Sequence, residues 1–351
     1  MMRLGIVGTG RMAERMLVCL AHLPQVRVSA VASAVPGRAE ALAGRIGAGA
    51  ARSAAALAGR ADVDAVYVAT GNAGHAAAAL AAIAAGKPVL VEKPLAITPD
   101  QVAGVIAAAQ AARVLLVENL WTLALPATRE LIANGTGVGA ETRDGTDGRP
   151  RLLQVDFGYP VGRVAQPGLF AADAGVVRDR GVYGLALALR LFGPADDLTC
   201  AVRTEAGCDV AAMIALRHRS GDLSGITVAF DALLPNLVTL SGPQGMISLS
   251  PSIGAESYRV QAAAAGGGAS SGGPGRLARL KTLPALRALN RWRTASGGRT
   301  ISYGADPYLP MLQHFSALVR EGAGESPLVP LALSAAVHDL IGRARSAGGL
   351  A

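Results

Sequence analysis

Short apolar runs punctuate the first third of the chain: Leu4–Val7, Val26–Ala32, Ala65–Ala69, Pro88–Val91 and Val114–Val117. They read as buried strands, apolar on both faces. Between them lie alanine-rich stretches of helical length: Arg11–Leu23, Gly37–Ile46, Ala73–Ala85 and Pro99–Ala112. Strands alternating with helices at this spacing predict an α/β fold with a doubly wound parallel sheet. Beyond residue 120 the pattern changes. Leu152–Tyr159, Leu198–Thr204, Cys208–Arg217, Ser224–Phe230, Asn236–Ser241 and Met246–Ser250 alternate apolar with polar positions. Turns such as Ser220-Gly221-Asp222 and Gly242-Pro243-Gln244-Gly245 join them, so an open, mostly antiparallel sheet is expected. A helix from about Asp179 to Leu191 stops at Gly193-Pro194, and Tyr308–Arg320 and Leu331–Arg345 close the chain as helices. The expected organisation is a nucleotide-binding Rossmann domain over 1–120 and an α+β domain for substrate and self-association over 121–351. The C-terminal helix is expected to pack back on the first domain.

The glycines give the first strand–helix junction its chemistry. Gly8-Thr9-Gly10-Arg11-Met12-Ala13 follows the first strand and opens the first helix. The first glycine permits a tight turn and the second lets backbone approach a pyrophosphate. The helix N-terminus then supplies N–H donors and the positive end of its dipole. An NAD-binding site wants a carboxylate at the end of the second strand. Here that strand ends Val31-Ala32-Ser33-Ala34 and the first acid is Glu40, while Arg38 and Arg11 lie nearby. Of NADP and NAD, NADP is favoured, with Ser33 and Arg38 toward its extra phosphate.

Charge and composition narrow the classes. The chain has 351 residues, 33 Lys and Arg against 25 Asp and Glu, and a formal charge of +8. Eight basic residues and no acid fall between Ser257 and Ala305, and the remainder balances. A basic nucleic-acid-binding face is therefore not indicated. Gly266–Gly275 reads as a flexible tether, and leucines 277, 280, 283, 286 and 289, broken by Pro284, fit two short helices. The basic insertion 266–300 is read as a solvated loop, with an arginine-bearing lid as the alternative. No apolar run reaches the roughly 18 residues of a membrane span. The N-terminus runs into the glycine motif rather than a signal-peptide pattern. Cys19, Cys200 and Cys208 suggest neither disulfide framework nor metal cluster, and a cytoplasmic location is expected. No metal-ligand spacing joins His22, His218, His314 and His338, and no metal is expected.

Only Lys87, Lys93 and Lys281 are lysines among the 33 cations. A lysine in so arginine-rich a chain raises the question of proton exchange, which arginine cannot perform near neutral pH. Lys93 lies in Val91-Glu92-Lys93-Pro94, at the carboxyl end of a predicted parallel strand, where open α/β sheets bind their ligands.

At this point the chain resembles a family. Gly8-x-Gly10-x-x-Ala13, Ala69-Thr70-x-Asn72-x-x-His75, Gly86-Lys87-x-Val89-x-x-Glu92-Lys93-Pro94 and Asp179-x-Gly181-x-Tyr183 stand in the order and spacing of the glucose–fructose oxidoreductase/inositol dehydrogenase (Gfo/Idh/MocA) family. Glu118-x-x-Trp121-Thr122 and Glu325-Ser326-Pro327-Leu328-x-Pro330-Leu331 resemble the branch of glucose–fructose oxidoreductase, dimeric dihydrodiol dehydrogenase and xylose dehydrogenase. The resemblance implies an NAD(P)-dependent oxidoreductase acting on a hydroxyl or keto group of a sugar, nucleotide sugar or cyclitol. A trans-dihydrodiol or imine reductase and a non-catalytic NADP-binding regulator are the alternatives. It implies a homodimer or homotetramer formed through the antiparallel sheet. Gly8, Thr9, Gly10, Arg11, Met12, Ser33, Arg38, Thr70, Asn72, His75, Glu92, Lys93 and Trp121 are the cofactor-site candidates. Lys93, Tyr183 and Asp179 are the catalytic ones.

The physical expectation is that Asp179 and Tyr183, four apart, share one helix face. A lysine ammonium within about 4–6 Å would then lower the phenol's pKa and ready it for proton transfer. The residues also permit a plainer reading, in which Asp179 caps the helix and Tyr183 packs in the core. The chain departs from the family pattern at Asp173-Ala174-Gly175, at Arg180, at Leu123-Ala124 and at Gly71. These positions fall around the expected substrate pocket, so the branch's substrates do not transfer.

Overall fold

The computed structural model describes residues 1–135, 148–171, 173–262 and 298–350. Its N-terminal domain is built on six parallel strands: β1 (Met2–Val7), β2 (Val26–Ala32), β3 (Gly49–Ala51), β4 (Ala65–Val68), β5 (Val89–Val91) and β6 (Leu116–Glu118), in the order β3-β2-β1-β4-β5-β6. Every residue of β4, β5 and β6 is buried, as their unbroken apolar runs require of a sheet covered on both faces. The covering helices are α1 (Arg11–Leu20), α2 (Arg38–Ile46), α3 (Ala54–Ala58), α4 (His75–Ala84) and α5 (Pro99–Ala112). The strand order reverses between β1 and β4, which opens a crevice at their carboxyl ends.

Helix α6 (Pro126–Gly135) leads into the second sheet, of eight strands: β7 (Leu152–Gly158), β8 (Ala195–Glu205), β9 (Cys208–His218), β10 (Leu223–Ala229), β11 (Val238–Gly242), β12 (Gly245–Ser250), β13 (Ser257–Ala262) and β14 (Gly298–Thr300). Their order is β14-β13-β12-β11-β7-β10-β9-β8. All pairings are antiparallel except β7 with β10. Helix α7 (Val182–Phe192) is buried along nearly its whole length, and Gly184 lies against Ile226 of β10, where a Cβ would come within 2.8 Å. Of the basic insertion predicted over 266–300, residues 266–297, with the tether and the leucines, lie outside the described residues. Its two flanks pair as neighbouring strands, Ser257 opposite Thr300 and Arg259 opposite Gly298, so that stretch leaves and re-enters at one sheet edge.

Helices α8 (Leu309–Glu321) and α9 (Leu331–Ala347) complete the chain. His338 on α9 bonds Glu118 at the end of β6 (2.8 Å). Glu118 Oε1 also accepts from the Leu95 amide (2.9 Å). Burial opposes ionisation of Glu118, but His338 and these donors hold its carboxyl below the ordinary value. Further along α9, the buried Arg345 donates to the buried Asp209 of β9. Asp209 Oδ2 accepts from Val177 N (2.8 Å). The last helix therefore ties the parallel sheet to the antiparallel one.

The pattern did not predict β3, α3, α6, β13 or β14, and some of the departures have clear physical causes. β3 and α3 lie in an alanine- and glycine-rich stretch without hydrophobic periodicity, so neither was foreseen. β14 has no buried residue to mark it in the sequence. The helix expected from Asp179 begins instead as a π-helical turn, Val177–Gly181, and becomes α-helical only at Val182.

Candidate active site

The β1–α1 turn meets its sequence expectation in detail. Gly8 has φ +121°, and a Cβ there would lie 2.2 Å from the Ala69 carbonyl oxygen of the neighbouring turn. Only glycine fits both demands. Gly10 is the N-cap of α1, carries no side-chain cap, and would place a Cβ in open space with nothing within 4 Å. The first turn of α1 thus presents unsatisfied N–H groups to a cavity of about 750 Å³. That cradle fits a dinucleotide pyrophosphate. Thr9, Ser33 and Arg38 line the same cavity. Ser33 Oγ accepts from Val35 N (3.1 Å) and lies 3.3 Å from Thr9 Oγ1. Arg52 and Ser53 also line it, and the sequence reading missed both, because they follow the unrecognised β3.

A second cavity of about 710 Å³ adjoins the first, and Arg11, Met12, Thr70 and Gly71 line both. Into it come Asn72, His75, Glu92, Lys93, Trp121, Asp179 and Tyr183. The structure therefore brings every candidate residue to one or other of two joined cavities. His75 is 1% exposed, with Nδ1 2.6 Å from the Pro94 carbonyl and Nε2 3.2 Å from that of Thr70. Burial lowers its pKa despite those two acceptors. It acts as a clamp joining the Thr70 turn to the Lys93-Pro94 segment. Glu92 accepts from Tyr67 Oη and Asn119 Nδ2, both at 2.6 Å, which anchors the residue before Lys93.

Lys93 Nζ lies 2.5 Å from Asp179 Oδ1 and donates to the Asp179 carbonyl at 3.0 Å. The same ammonium stands 5.4 Å from the centre of the Tyr183 ring. Asp179, in the π-helical turn, and Tyr183, in the α-helix that continues it, line the same cavity and both lie near Lys93. Asp179 reaches Lys93, while Tyr183 packs edge-on to Trp121 and its oxygen accepts from Trp121 Nε1 (3.1 Å). The expected lowering of the phenol's pKa does not hold. Burial, with Asp179 and Glu92 nearby, raises its pKa well above the ordinary value. The ammonium is neutralised by the aspartate it holds, so it cannot outweigh desolvation. Tyr183 is consequently held protonated. With its oxygen already accepting from Trp121, its own proton is available elsewhere.

The remaining wall was not legible in the motifs. Tyr308, entering α8, packs on Trp121 at 4.6 Å, Phe157 of β7 packs edge-on against Tyr183, and Tyr159, just beyond that strand, packs on Phe157. Arg180 is 1% exposed behind them, 3.9 Å from the Tyr159 ring centre and 4.9 Å from that of Phe157. It donates to the Tyr159 and Ala229 carbonyls. The substitution noted at this position thus stiffens the aromatic wall. Asp173 joins the two domains: its carbonyl accepts from Asn72 Nδ2 and its Oδ2 from Ala73 N, both at 3.1 Å. Arg11 likewise donates to Gln166 of the loop after β7. Gly175 survives from the expected glycine-rich turn because, at φ +105°, a Cβ would strike Asp209 at 2.1 Å.

Comparison with known proteins agrees with this architecture. The sequence model of the Gfo/Idh/MocA group, described as an oxidoreductase family with an NAD-binding Rossmann fold, matches residues 2–120. Trans-1,2-dihydrobenzene-1,2-diol dehydrogenase of Bos taurus is 27% identical over 292 residues, covering 82% of this chain and 78% of its own. The Mus musculus protein of that name is 26% identical over 358 residues, covering 99% and 97%. The 3-ketoreductase KijD10 of Actinomadura kijaniata, solved with NADP and TDP-benzene, superposes with TM-score 0.75 at 23% identity, covering 98% of this chain and 97% of its own. UDP-N-acetylglucosamine 3-dehydrogenase of Acidithiobacillus ferrooxidans gives 0.75 at 18% identity, covering 99% and 97%. Glycine cradle, joined cavities and sequence kinship converge: residues 2–120 match the NAD-binding Rossmann domain of the Gfo/Idh/MocA oxidoreductase family, and the chain as a whole is similar to dehydrogenases and reductases of that architecture.

Proposed function

We propose that the protein transfers a hydride between NADP and a secondary hydroxyl or keto carbon of a sugar, nucleotide sugar or cyclitol. The observation that carries this reading is the Lys93–Asp179 pair beside Tyr183 in the cavity that adjoins the dinucleotide cradle. When bound, the nicotinamide supplies the hydride donor or acceptor. The rest of the work belongs to the chain. Gly8–Met12 hold the pyrophosphate, and Arg38, Arg52 and Ser33 select the phosphorylated ribose. In the reductive direction Tyr183 donates its proton to the carbonyl oxygen, and the Lys93 ammonium stabilises negative charge developing there. Asp179 and His75 fix where that ammonium stands.

A second reading has its own support. Trp121, Phe157, Tyr159, Tyr183 and Tyr308 make a strongly aromatic pocket. Such a surface stacks on the ring of a trans-dihydrodiol as readily as on the apolar face of a sugar. The curated relatives carry that dihydrodiol name. NADPH oxidation at 340 nm against ketosugars, nucleotide ketosugars and inosose, and NADP reduction against trans-dihydrodiols, separates the two. Lys93→Met should lower kcat/KM about 10²–10³-fold while NADPH affinity stays within about threefold. Undiminished turnover in Lys93→Met would remove the residue from the mechanism.

We further propose self-association through the outward face of the second sheet, where Leu152, paired in register with Leu223, and Met213 stand 40%, 48% and 64% exposed. A single monomer peak by sedimentation would end that proposal. The three unpaired cysteines agree with a cytoplasmic, reducing location.

A further inference from the structure

A third cavity, of about 400 Å³, lies apart from the two described, where the N-terminal end of α5, the π-helical turn and α9 meet. Arg178, Arg343 and Arg345 line it against a single carboxylate, Asp339. Asp339 is 3.5 Å from Arg343 and largely turned to solvent. Arg178 donates to the Ile97 carbonyl (2.9 Å) and, among the described residues, meets no carboxylate at ion-pair distance. Burial and the neighbouring Arg345 both disfavour its charge. Arg345 is 5% exposed, donates through Nη1 to Asp209 and Ala174, and leaves its buried Nε–H without an acceptor.

We propose that this cavity is a second binding site, for a small anion bearing a phosphate group. Arg178, bonded among the described residues only to the Ile97 carbonyl, and Arg343, which also donates to the Asp196 carbonyl (3.1 Å), bring guanidinium groups to the cavity. These match phosphate oxygens in charge and in fork geometry, with the Asp209-paired Arg345 beside them. The volume is that of a metabolite site rather than a packing defect. The positive end of the 14-residue α5, whose Ile97-Thr98-Pro99 entry lines the same cavity, adds to the field. Asp339 and the Glu118-bonded His338 complete its titratable lining. An anion here bridges the N-terminal domain to the C-terminal helix.

The test is the melting temperature of the full chain with NADP at saturation, so that the pyrophosphate cradle is filled. Inorganic phosphate is compared with chloride at matched ionic strength, and glycerol 3-phosphate with glycerol. The expected result is a saturable rise of about 2 °C or more with phosphate. Arg178→Met should abolish it and Arg343→Met weaken it. A rise at lower concentration with glycerol 3-phosphate identifies an ester rather than free phosphate as the ligand. No rise with either probe, or an equal rise in both variants, overturns the proposal. Should Arg178→Met fail to fold, Arg343→Met, whose side chain is 38% exposed, decides the matter alone.

Discussion

Gly8 and Gly10 stand two residues apart in one turn, and the structure predicts opposite consequences for replacing them. Gly10 has φ −87° and ψ −171°, extended backbone that alanine adopts freely, and the added methyl meets no protein atom within 4 Å. The cost to folding is that of a poorer N-cap, about 1 kcal/mol at most. The methyl projects into the cradle, however, and holds a phosphate oxygen away from the first N–H groups of α1. Losing one charge-assisted hydrogen bond costs about 1.5–3 kcal/mol, or roughly 10–150-fold in Kd. Gly8→Ala forces φ +121° on a residue with a Cβ, which alone costs about 1–3 kcal/mol. It also places that Cβ 2.2 Å from the Ala69 oxygen, in a turn whose amide is bonded to Val7 at 2.8 Å. The backbone joining β1 to β4 must move, and the total loss should exceed about 3 kcal/mol. NADPH titration by nicotinamide fluorescence and urea unfolding by circular dichroism read the two quantities separately. A folded Gly10→Ala protein binding NADPH within twofold of wild type would refute the placement of the pyrophosphate. Wild-type stability in Gly8→Ala would refute the packing argument.

Other outcomes follow from the same geometry. Arg38→Ala and Arg52→Ala should each weaken NADPH binding about tenfold or more while changing NADH affinity less than about threefold; equal losses for both cofactors would show that the arginines do not read the 2′-phosphate. Burial holds the pKa of His75, His218 and His314 below 6.5. The unfolded chain takes up protons near pH 6.5 where the folded one does not, so stability present above that pH is lost as pH falls toward the folded values. For the fully buried His75 the slope approaches about 1.4 kcal/mol per pH unit, and urea midpoints at pH 7, 6 and 5 that fail to decline would contradict it. Arg345→Met strands the buried Asp209 carboxylate and should destabilise by about 3–5 kcal/mol. Pairing it with Asp209→Asn should recover part of that loss, and strictly additive effects would deny the coupling.

The motifs placed the site more accurately than they described it. Gly8, Gly10, Glu92 and Lys93 were legible because each sits at a strand's carboxyl end, where chain direction alone decides what faces the crevice. Tyr183 was found through the family resemblance of Asp179-x-Gly181-x-Tyr183, yet the pKa expected for it was wrong: burial raises the phenol's pKa where an unpaired lysine would have lowered it. Tyr308, Phe157 and Tyr159 carry no local signature, and Asp173 was marked only as a departure from the family pattern, with no sign of its contact to Asn72 and Ala73. They reach the pocket from α8, from the end of β7 and from the loop before the π-helical turn, and no short-range pattern encodes such meetings. Arg180 stood out as a charge in an apolar place, but its three aromatic neighbours come from β7 and from Phe230 beyond β10.

What the sequence by itself determined was the periodicity of strand and helix, the glycines demanded by backbone torsion, and the chemical identity of the cradle and of Lys93. These are properties of contiguous residues, set by local sterics and by which faces are apolar. What only the tertiary structure decided was charge balance and protonation. Lys93 is neutralised by an aspartate 86 positions away, and Tyr183 is desolvated by side chains from several elements. The Arg178–Arg345 cavity forms only where α9 returns across both sheets. Electrostatic energies depend on distance through space and on exclusion of water, and neither quantity exists until the chain has folded.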